Sequence, residues 1–123
     1  TETNVDSDLS RQVFEPETII FRQGESASCA YLIQTGRVEI VTTRDGEDIH
    51  LTSLRQNQIF GELALMDNSP RSATAVAWEK TEVLVVSRAD IQRKLEGLDP
   101  FMRYWIDFMT ERVKDLSNRV PSD

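Results

Sequence analysis

One short stretch of the chain combines residue types that could bind a phosphorylated sugar. Gly61 follows two apolar residues typical of a strand end, and glycine there allows a tight turn or a close approach to a ligand. Residues 62–65 could form one helical turn, whose first amides lack internal partners and suit an anion. Arg71, after the loop signal of residues 67–70, supplies donors that fit a phosphate. Glu62 could accept hydrogen bonds from sugar hydroxyls.

The same residues also fit an ordinary surface loop. A short helix followed by a turn is common between the strands of any β-rich domain. An arginine that follows a proline is usually solvated, and so is a glutamate such as Glu62. Residue types alone therefore leave both the ligand site and the solvated loop open.

Length, charge and composition narrow the classes of protein. A chain of 123 residues fits a single domain, residues 1–123, with one core. Its formal net charge of −7 and the lack of a basic run argue against nucleic-acid binding by this segment. Apolar runs are only a few residues long, against the roughly 20 that a spanning helix needs, so no membrane contact by this segment is expected.

The single cysteine and the single histidine exclude some chemistry. Cys29 cannot form an internal disulfide, which fits a reducing, cytoplasmic setting. His50 cannot provide a metal centre alone, because a protein metal site needs several converging ligands. We therefore expect no metal and no cofactor, and His50 to be structural or at the surface.

The order of apolar and turn residues predicts a mainly β fold. Segments rich in β-branched or alternating apolar residues predict strands at residues 18–21, 29–34, 38–42, 49–54, 72–77 and 82–87. Asp45-Gly46 predicts a hairpin turn, whereas residues 1–10 are polar and are expected to be frayed or a short helix. Many short strands with regular turn signals favour a barrel or a sandwich.

Only the C-terminal part of the sequence has a helical pattern. One helix is predicted at residues 88–95, and a second at about 100–116 with Asp99 as N-cap and Pro100 at its first position. The apolar face of the second helix is wider than one packing surface needs. Half of this face is expected to cover the barrel, and the rest is available to a partner, a second copy or the ligand.

The order of residues 60–74 closely resembles the phosphate-binding cassette of cyclic-nucleotide-binding domains. These domains occur in the catabolite activator protein, the cyclic-nucleotide-dependent kinases and the cyclic-nucleotide-gated channels. The resemblance extends from about Phe14 to Arg112, with Gly24-Glu25 and Gly36 at the positions of the family's turn glycines. It implies a jelly-roll-like β-roll of about eight strands at residues 14–87, with the cassette late in the roll and two C-terminal helices at residues 88–117.

The resemblance also implies roles for the residues of the stretch. Arg71 would pair with the exocyclic phosphate oxygens of a cyclic nucleotide, and Glu62 would accept a hydrogen bond from the ribose 2′-hydroxyl. Gly61 would allow close approach, and Ile40, on a roll strand, would line the base. The backbone amides expected to complete the phosphate cradle are those of Leu63, Ala64 and Ser72.

The residue that covers the base stays open between alternatives. In prokaryotic cyclic-nucleotide-regulated potassium channels, an arginine at the position that matches Arg112 lies over the purine, and Arg112 could stack on the base in the same way. Arg112 could equally be a solvated helix residue beside Glu111 or Asp115. Aromatic caps are also available, although core packing is expected for Trp105 and Phe108: the candidates are Tyr104, Trp105 and Phe108.

Ser72 occupies the position at which members of this family differ. Alanine there is typical of cyclic-AMP kinases, threonine favours cyclic GMP, and serine appears in bacterial cyclic-AMP receptors. The resemblance therefore favours cyclic AMP, with cyclic GMP as the other ligand.

Two classes of function fit the sequence. The first is a sensor in which the ligand moves the C-terminal helices, which then act on an attached effector. The alternative is a module that keeps the fold without a ligand and works through its apolar helix as a homodimer or docking surface. An enzyme is not expected, because no nucleophile–base pair or histidine cluster is present.

Overall fold

Two antiparallel sheets and three helices form the part of the chain that the computed structural model describes. That part is residues 9–119, without the side chains of Leu63, Met66, Asp67 and residues 113–119. The strands are β1 (Ser10–Phe14), β2 (Thr18–Phe21), β3 (Cys29–Thr35), β4 (Val38–Arg44), β5 (Glu47–Leu54), β6 (Ile59–Phe60), β7 (Thr74–Ala77) and β8 (Thr81–Ser87). The helices are α1 (Glu62–Asp67), α2 (Arg88–Glu96) and α3 (Pro100–Arg119).

The strand order confirms the predicted β-roll. One sheet has the order β1-β8-β3-β6 and the other the order β2-β7-β4-β5. Apart from the β4–β5 hairpin, neighbours in each sheet come from distant parts of the chain, as in a jelly roll, and α1 lies between β6 and β7. Two compact units are divided after Arg88, so the roll and the following helices are described separately.

The strand predictions are correct in type and differ at several ends. The predicted strand at residues 72–77 begins only at Thr74, because residues 71–73 leave the sheet. Strand β1 was not predicted, since four of its five residues are exposed and its sequence lacks alternation. Pairing with β8 nevertheless makes Ser10–Phe14 a strand, so residue 10 is neither frayed nor helical. The expectation for residues 1–8 lies outside the described residues.

A cluster of aromatic side chains fills the centre of the roll. Tyr31 stacks on Phe60 with ring centroids 5.0 Å apart and on Phe21 with centroids 6.0 Å apart. Phe14 meets Tyr31 edge to face. Such rings bury a large apolar area in a fixed geometry, so they form a rigid floor on which the neighbouring loops can be placed.

Two turns carry the positive backbone angles that their sequences predict. Asp45 and Gly46 have φ values of 55° and 81°, as a two-residue hairpin turn requires, which confirms the predicted β4–β5 hairpin. Gly36 has φ of 107°, and a Cβ there would lie 2.6 Å from the Thr81 Cα. The Gly36 turn therefore has no room for a side chain.

A buried carboxylate joins β4 to β5 away from the cassette. Glu39 is 6% exposed and accepts a hydrogen bond of 2.6 Å from the Ser53 hydroxyl. Its carboxylate also binds the Arg37 guanidinium and the His50 ring. Burial alone would raise the pKa of Glu39, but the hydrogen bonds from Ser53, His50 and Arg37 together hold the pKa below its ordinary value of 4.5. His50 thus takes part in a structural network and also lies at the surface, which fits both predicted alternatives.

The second compact unit consists of α2 and α3. The amide of Met102 donates to Asp99 Oδ1 at 3.0 Å, which confirms Asp99 as the N-cap of α3. Trp105 and Phe108 are each 50% exposed, so the expectation that they are core residues is wrong. Within residues 9–119, no helix is long and apolar enough to cross a membrane.

Replacement of the buried carboxylate should lower stability in a pH-dependent way. Because the folded pKa of Glu39 is depressed, its stabilisation is complete above pH 4.5 and is lost as the pH falls through the folded pKa. We expect Glu39→Gln to lower the free energy of unfolding at pH 7 by about 1–3 kcal/mol. The difference from the unchanged protein should shrink below pH 4.5 in urea titrations.

Glu82→Gln is the matched control for this prediction. Glu82 pairs with Arg11, whose side chain is 63% exposed, and such surface pairs contribute less than about 1 kcal/mol. An equal loss of stability in both variants, or a Glu39→Gln effect that does not depend on pH, would contradict the role of the buried network.

Candidate functional site

Arg71 lies inside the roll and is held by main-chain carbonyls. Arg71 is 4% exposed to solvent. One terminal nitrogen, Nη1, donates to the Gly61 carbonyl oxygen at 2.8 Å, and Nη2 donates to the Cys29 carbonyl oxygen at 2.7 Å. The guanidinium carbon lies 4.0 Å from the centroid of the Phe21 ring, within the range of a cation–π contact. The start of β3, the start of the cassette and β2 are therefore joined by one side chain.

The remaining nitrogen of this guanidinium has no partner. Arg71 Nε is buried and makes no hydrogen bond, and no carboxylate among the described side chains lies within ion-pair distance of Arg71. Buried charges normally have a countercharge, and a buried donor left alone costs about 1–3 kcal/mol. Glu39, the other buried charged residue in the described part of the chain, pairs with the Arg37 guanidinium and also contacts the His50 ring. Arg71 therefore lacks the oppositely charged partner that Glu39 has in Arg37.

A cavity of about 300 Å³ opens beside Arg71. This volume lies at the lower end of the roughly 300–1,000 Å³ typical of small-molecule sites. The residues that line it and that the sequence predicted as ligand contacts are Ile40, Gly61, Glu62, Ala64, Arg71 and Ser72. One concave surface thus brings together six residues that are up to 32 positions apart in the chain.

Other wall residues were missed by the sequence reasoning. They are Phe21, Thr52, Leu54, Ile59, Phe60 and Ala73. The alternation of β5 could have identified Thr52 and Leu54, because Thr52 pairs with Ile40 across the β4–β5 ladder. Most of the wall is apolar, so it suits a flat ring system next to the charged end at Arg71.

Gly61 permits the close approach of Arg71 to the cassette backbone. Its φ is 82°, in the left-handed region, and it precedes α1 as the N-cap residue. A Cβ at this position would lie 2.7 Å from Arg71 Nη1 and 3.3 Å from Phe21 Cε2. Any other residue would both strain the backbone and displace the guanidinium, so the glycine is required on two grounds.

The other end of α1 is held by Arg88. Arg88 Nη1 donates to the Leu65 carbonyl oxygen at 2.6 Å, and Nη2 donates to the Ala27 carbonyl oxygen at 3.2 Å. Nη2 also lies 3.4 Å from Asn68 Oδ1. No basic residue occurs in the last turn of α1 itself, so Arg88 supplies the positive charge that a helix C-terminus favours.

Burial controls the ionisation of the ring beneath the guanidinium. Burial raises the pKa of the Tyr31 hydroxyl far above its ordinary value of 10.0, and a hydrogen bond with the Cys29 side chain raises it further. The charge of Arg71, 6.0 Å from the ring centroid, opposes this shift only in part. Tyr31 is therefore neutral beside Arg71 at any physiological pH.

Two of the predicted ligand contacts, Leu63 and Arg112, stay predictions. The side chain of Leu63 is not described, although its position as the second residue of α1 fits the predicted role of its amide. Arg112 is exposed on α3, in the second compact unit, and its guanidinium carbon lies 5.7 Å from the Phe108 ring centroid. Its role over the base stays a prediction.

Potential metal ligands do not cluster in the described residues. Within residues 9–119, no group of three His, Cys, Asp or Glu side chains is placed so that it could hold a metal ion.

Comparisons with known proteins match most of this chain to one family of domains. The family model described as the cyclic nucleotide-binding domain matches residues 11–97. The cAMP-dependent protein kinase regulatory subunit of Yarrowia lipolytica is 37% identical over 87 residues, which are 71% of this chain and 23% of that protein. The chain thus spans about a quarter of that relative's length.

Solved structures agree with the sequence comparisons. The catabolite activator protein of Thermus thermophilus is 29% identical with a TM-score of 0.75, over 89% of this chain and 52% of that one. The EAL enzyme Bd1971 is 32% identical in both of two ligand-bound forms, with 89% of this chain covered. The cAMP-bound form has a TM-score of 0.73 and 30% of that chain covered, and the cGMP-bound form has 0.75 and 29%.

Removal of the Arg88 side chain should loosen α1. A hydrogen bond from a charged donor contributes about 1.5–3 kcal/mol, so Arg88→Gln should speed amide exchange in the second half of α1 by roughly tenfold or more. Exchange measured by NMR at residues 66–68 tests this expectation.

Arg11→Gln provides a control that removes an equally charged but exposed side chain. Unchanged exchange at residues 66–68 in Arg88→Gln, or an equal increase in Arg11→Gln, would contradict the anchoring of α1 by Arg88.

Proposed function

The chain belongs to the cyclic nucleotide-binding domain family, and we propose that it is a non-catalytic sensor that prefers cyclic AMP over cyclic GMP. The observation that carries the proposal is Arg71, a buried guanidinium with an unpartnered Nε and no carboxylate among the described side chains at ion-pair distance. A cyclic phosphate is a compact monoanion that could supply this missing charge. Arg71 already lines the cavity, so it could meet the anion without leaving the roll.

The other cavity residues fit the remaining parts of a nucleotide. Gly61 and the amides of Leu63, Ala64 and Ser72 would surround the phosphate, as the family resemblance implies. The half-buried carboxylate of Glu62 lines the same wall and would accept the hydrogen bond of the ribose 2′-hydroxyl. Ile40, on the opposite β4–β5 wall, would cover the base.

The preference for cyclic AMP rests on Ser72. Ser72 lies on the cavity wall directly after Arg71, where its hydroxyl can reach the phosphate. Threonine at this position favours cyclic GMP in the family, and this chain lacks it. The relative in Yarrowia lipolytica is named for its dependence on cAMP, whereas Bd1971 has been solved with either nucleotide. The proposed preference is therefore a difference in affinity and not the exclusion of cyclic GMP.

Coupling to the C-terminal helices completes the proposed sensor. Arg112 is exposed on α3 and bears a planar guanidinium that could stack on the purine. A contact made only in the ligand-bound arrangement would shift the population of α3 positions, which is the physical requirement for a sensor. The exposed aromatic side chains of α3 could then meet an effector or a second copy of the chain.

Calorimetric titration with cyclic AMP, cyclic GMP and 5′-AMP tests the ligand assignment. We expect binding of cyclic AMP that is tighter than that of cyclic GMP, and no binding of 5′-AMP, whose phosphate is a monoester and not a cyclic diester. Loss of a buried countercharge costs about 3–5 kcal/mol, so Arg71→Ala should weaken binding roughly a hundredfold to several thousandfold.

Two further variants make the titration decisive. Arg71→Ala leaves the carbonyls of Gly61 and Cys29 without donors, so Arg71→Lys, which keeps a cation, is measured beside it. Arg44→Ala removes an exposed arginine outside the cavity and should bind as the unchanged protein does. Folded, nucleotide-free protein that binds neither cyclic nucleotide would reject the sensor and favour the docking module.

Hydrogen exchange tests the coupling to α3 separately. Saturating cyclic nucleotide should increase the protection of amides at residues 100–116, and Arg112→Ala should remove most of that increase. Arg103→Ala is the matched control on the same helix, since Arg103 is also exposed. Tight binding without any change at residues 100–116 would reject the coupling and leave the ligand assignment standing.

A further inference from the structure

Gln23 is the second residue after β2. Its side chain pairs with the main chain of Thr43 in β4, as the main chain of a neighbouring strand would. Its Oε1 accepts a hydrogen bond of 2.7 Å from the Thr43 amide, and its Nε2 donates one of 3.2 Å to the Thr43 carbonyl oxygen. In an antiparallel pair, a residue on the neighbouring strand would satisfy these two groups. A carboxamide can replace it because it has both a donor and an acceptor.

This pairing marks the residue at which the cassette leaves the sheet. The β4–β7 ladder ends where Val41 lies opposite Thr74. Two more residues in the same register would place Ser72 opposite Thr43, where Gln23 already pairs. With that position filled, residues 71–73 do not continue the ladder and turn toward the cavity.

The turn that follows Gln23 holds the backbone of Arg71 from both sides. The Gly24 amide donates to the Arg71 carbonyl oxygen at 2.8 Å, and the Arg71 amide donates to the Glu25 carbonyl oxygen at 2.8 Å. The turn is itself closed, because the Arg22 amide donates to Glu25 Oε1 at 3.0 Å. Arg71 is thus fixed by its main chain at this turn and by its side chain at Gly61 and Cys29.

A buried hydroxyl adds a contact to the next residue. Thr42 is 8% exposed, and its Oγ1 lies 3.3 Å from both the Ser72 carbonyl oxygen and Gln23 Oε1. The Gln23 amide also donates to Thr74 Oγ1 at 2.9 Å. The hydrogen bonds of the Thr42 hydroxyl and of the Gln23 amide thus end on residues 71–74 or on Gln23 itself. We refer to Gln23, Gly24, Glu25 and Thr42 as the clip.

We propose that the clip positions the anion site, with Gln23 and Thr42 as positioning residues that keep Arg71 turned toward the cavity. This inference rests on the proposed function, in which the cavity receives the phosphate of a cyclic nucleotide. Neither side chain needs to touch the ligand. They act in two ways: they prevent β7 from extending its pairing with β4, and they fix the main chain that carries Arg71 and Ser72.

Paired variants of the full chain test the proposal. Gln23→Leu and Thr42→Val remove the polar groups at similar volume, and each should weaken the binding of cyclic AMP roughly tenfold. Thr42→Ser keeps the hydroxyl and should bind within about threefold of the unchanged protein. Thr43→Val is the matched control, because the Thr43 hydroxyl bonds to Asp48 on the exposed hairpin.

Amide exchange and a double-mutant cycle separate positioning from general stability. In nucleotide-free protein, Gln23→Leu should speed exchange at residues 71–74, while the strands away from the clip keep their protection. If Gln23 acts through Arg71, Gln23→Leu should weaken binding much less in the Arg71→Lys background than in the unchanged protein.

The outcomes distinguish this inference from the proposed function. Unchanged affinity in Gln23→Leu and Thr42→Val, an equal loss in Thr43→Val, or additive losses with Arg71→Lys would each overturn the clip while the nucleotide assignment stands. If the unchanged protein binds no cyclic nucleotide, the assignment fails, and the clip is judged by exchange alone. Faster exchange at residues 71–74 in Gln23→Leu would then support it, and unchanged exchange would overturn it.

Discussion

The burial of Arg71 is the constraint on which the rest of the cassette depends. A guanidinium inside a protein needs acceptors for its donors, and here carbonyl groups of Gly61 and Cys29 and the face of Phe21 supply them. These groups come from three separate segments, so the roll must close before the charge can be accommodated. The arrangement is still incomplete at Nε. An anion that completes it would stabilise the folded state and be held by it for the same physical reason.

The contrast with Glu39 shows why this incompleteness indicates a ligand. Glu39 and Arg71 are the two buried charged residues in the described part of the chain. Glu39 meets Arg37, His50 and Ser53, so its network closes within the protein. Because successive residues of a strand face opposite sides, β4 carries Glu39 on one side and Ile40, on the cavity wall, on the other. A closed network thus fixes the strand whose other side lines the open site.

The sequence predicts best what local patterns determine. Asp45-Gly46 specifies its own hairpin, Asp99 caps its own helix, and alternation identifies most strands without knowledge of their partners. The cassette was recognisable for a related reason, since its turn residues and its arginine lie within 15 positions. Strand β1 was missed because pairing with β8, and not its own pattern, makes it a strand.

The partners of Arg71 could not be predicted, because every residue has a carbonyl group and only the closed roll selects two of them. Gln23 was missed for the opposite reason: a polar residue beside a glycine is expected to be solvated, and only the register of β4 and β7 shows that it replaces a strand residue. Thr52 and Leu54, by contrast, were within reach of the sequence, because the β4–β5 hairpin was predicted and Thr52 pairs with Ile40 in it. Long-range main-chain contacts therefore mark the limit of prediction from this sequence.

The negative net charge of the chain means that an anionic ligand depends on contacts at short range. A formal charge of −7 repels an anionic ligand at long range, although physiological salt screens charges beyond about 8 Å. In the proposed function, attraction would come from groups at contact distance, namely Arg71 and the amides at the start of α1. Such contacts act after the ligand has entered and mainly slow its release. The geometry of residues 61–72, and not the overall field of the domain, therefore determines how tightly an anion is retained.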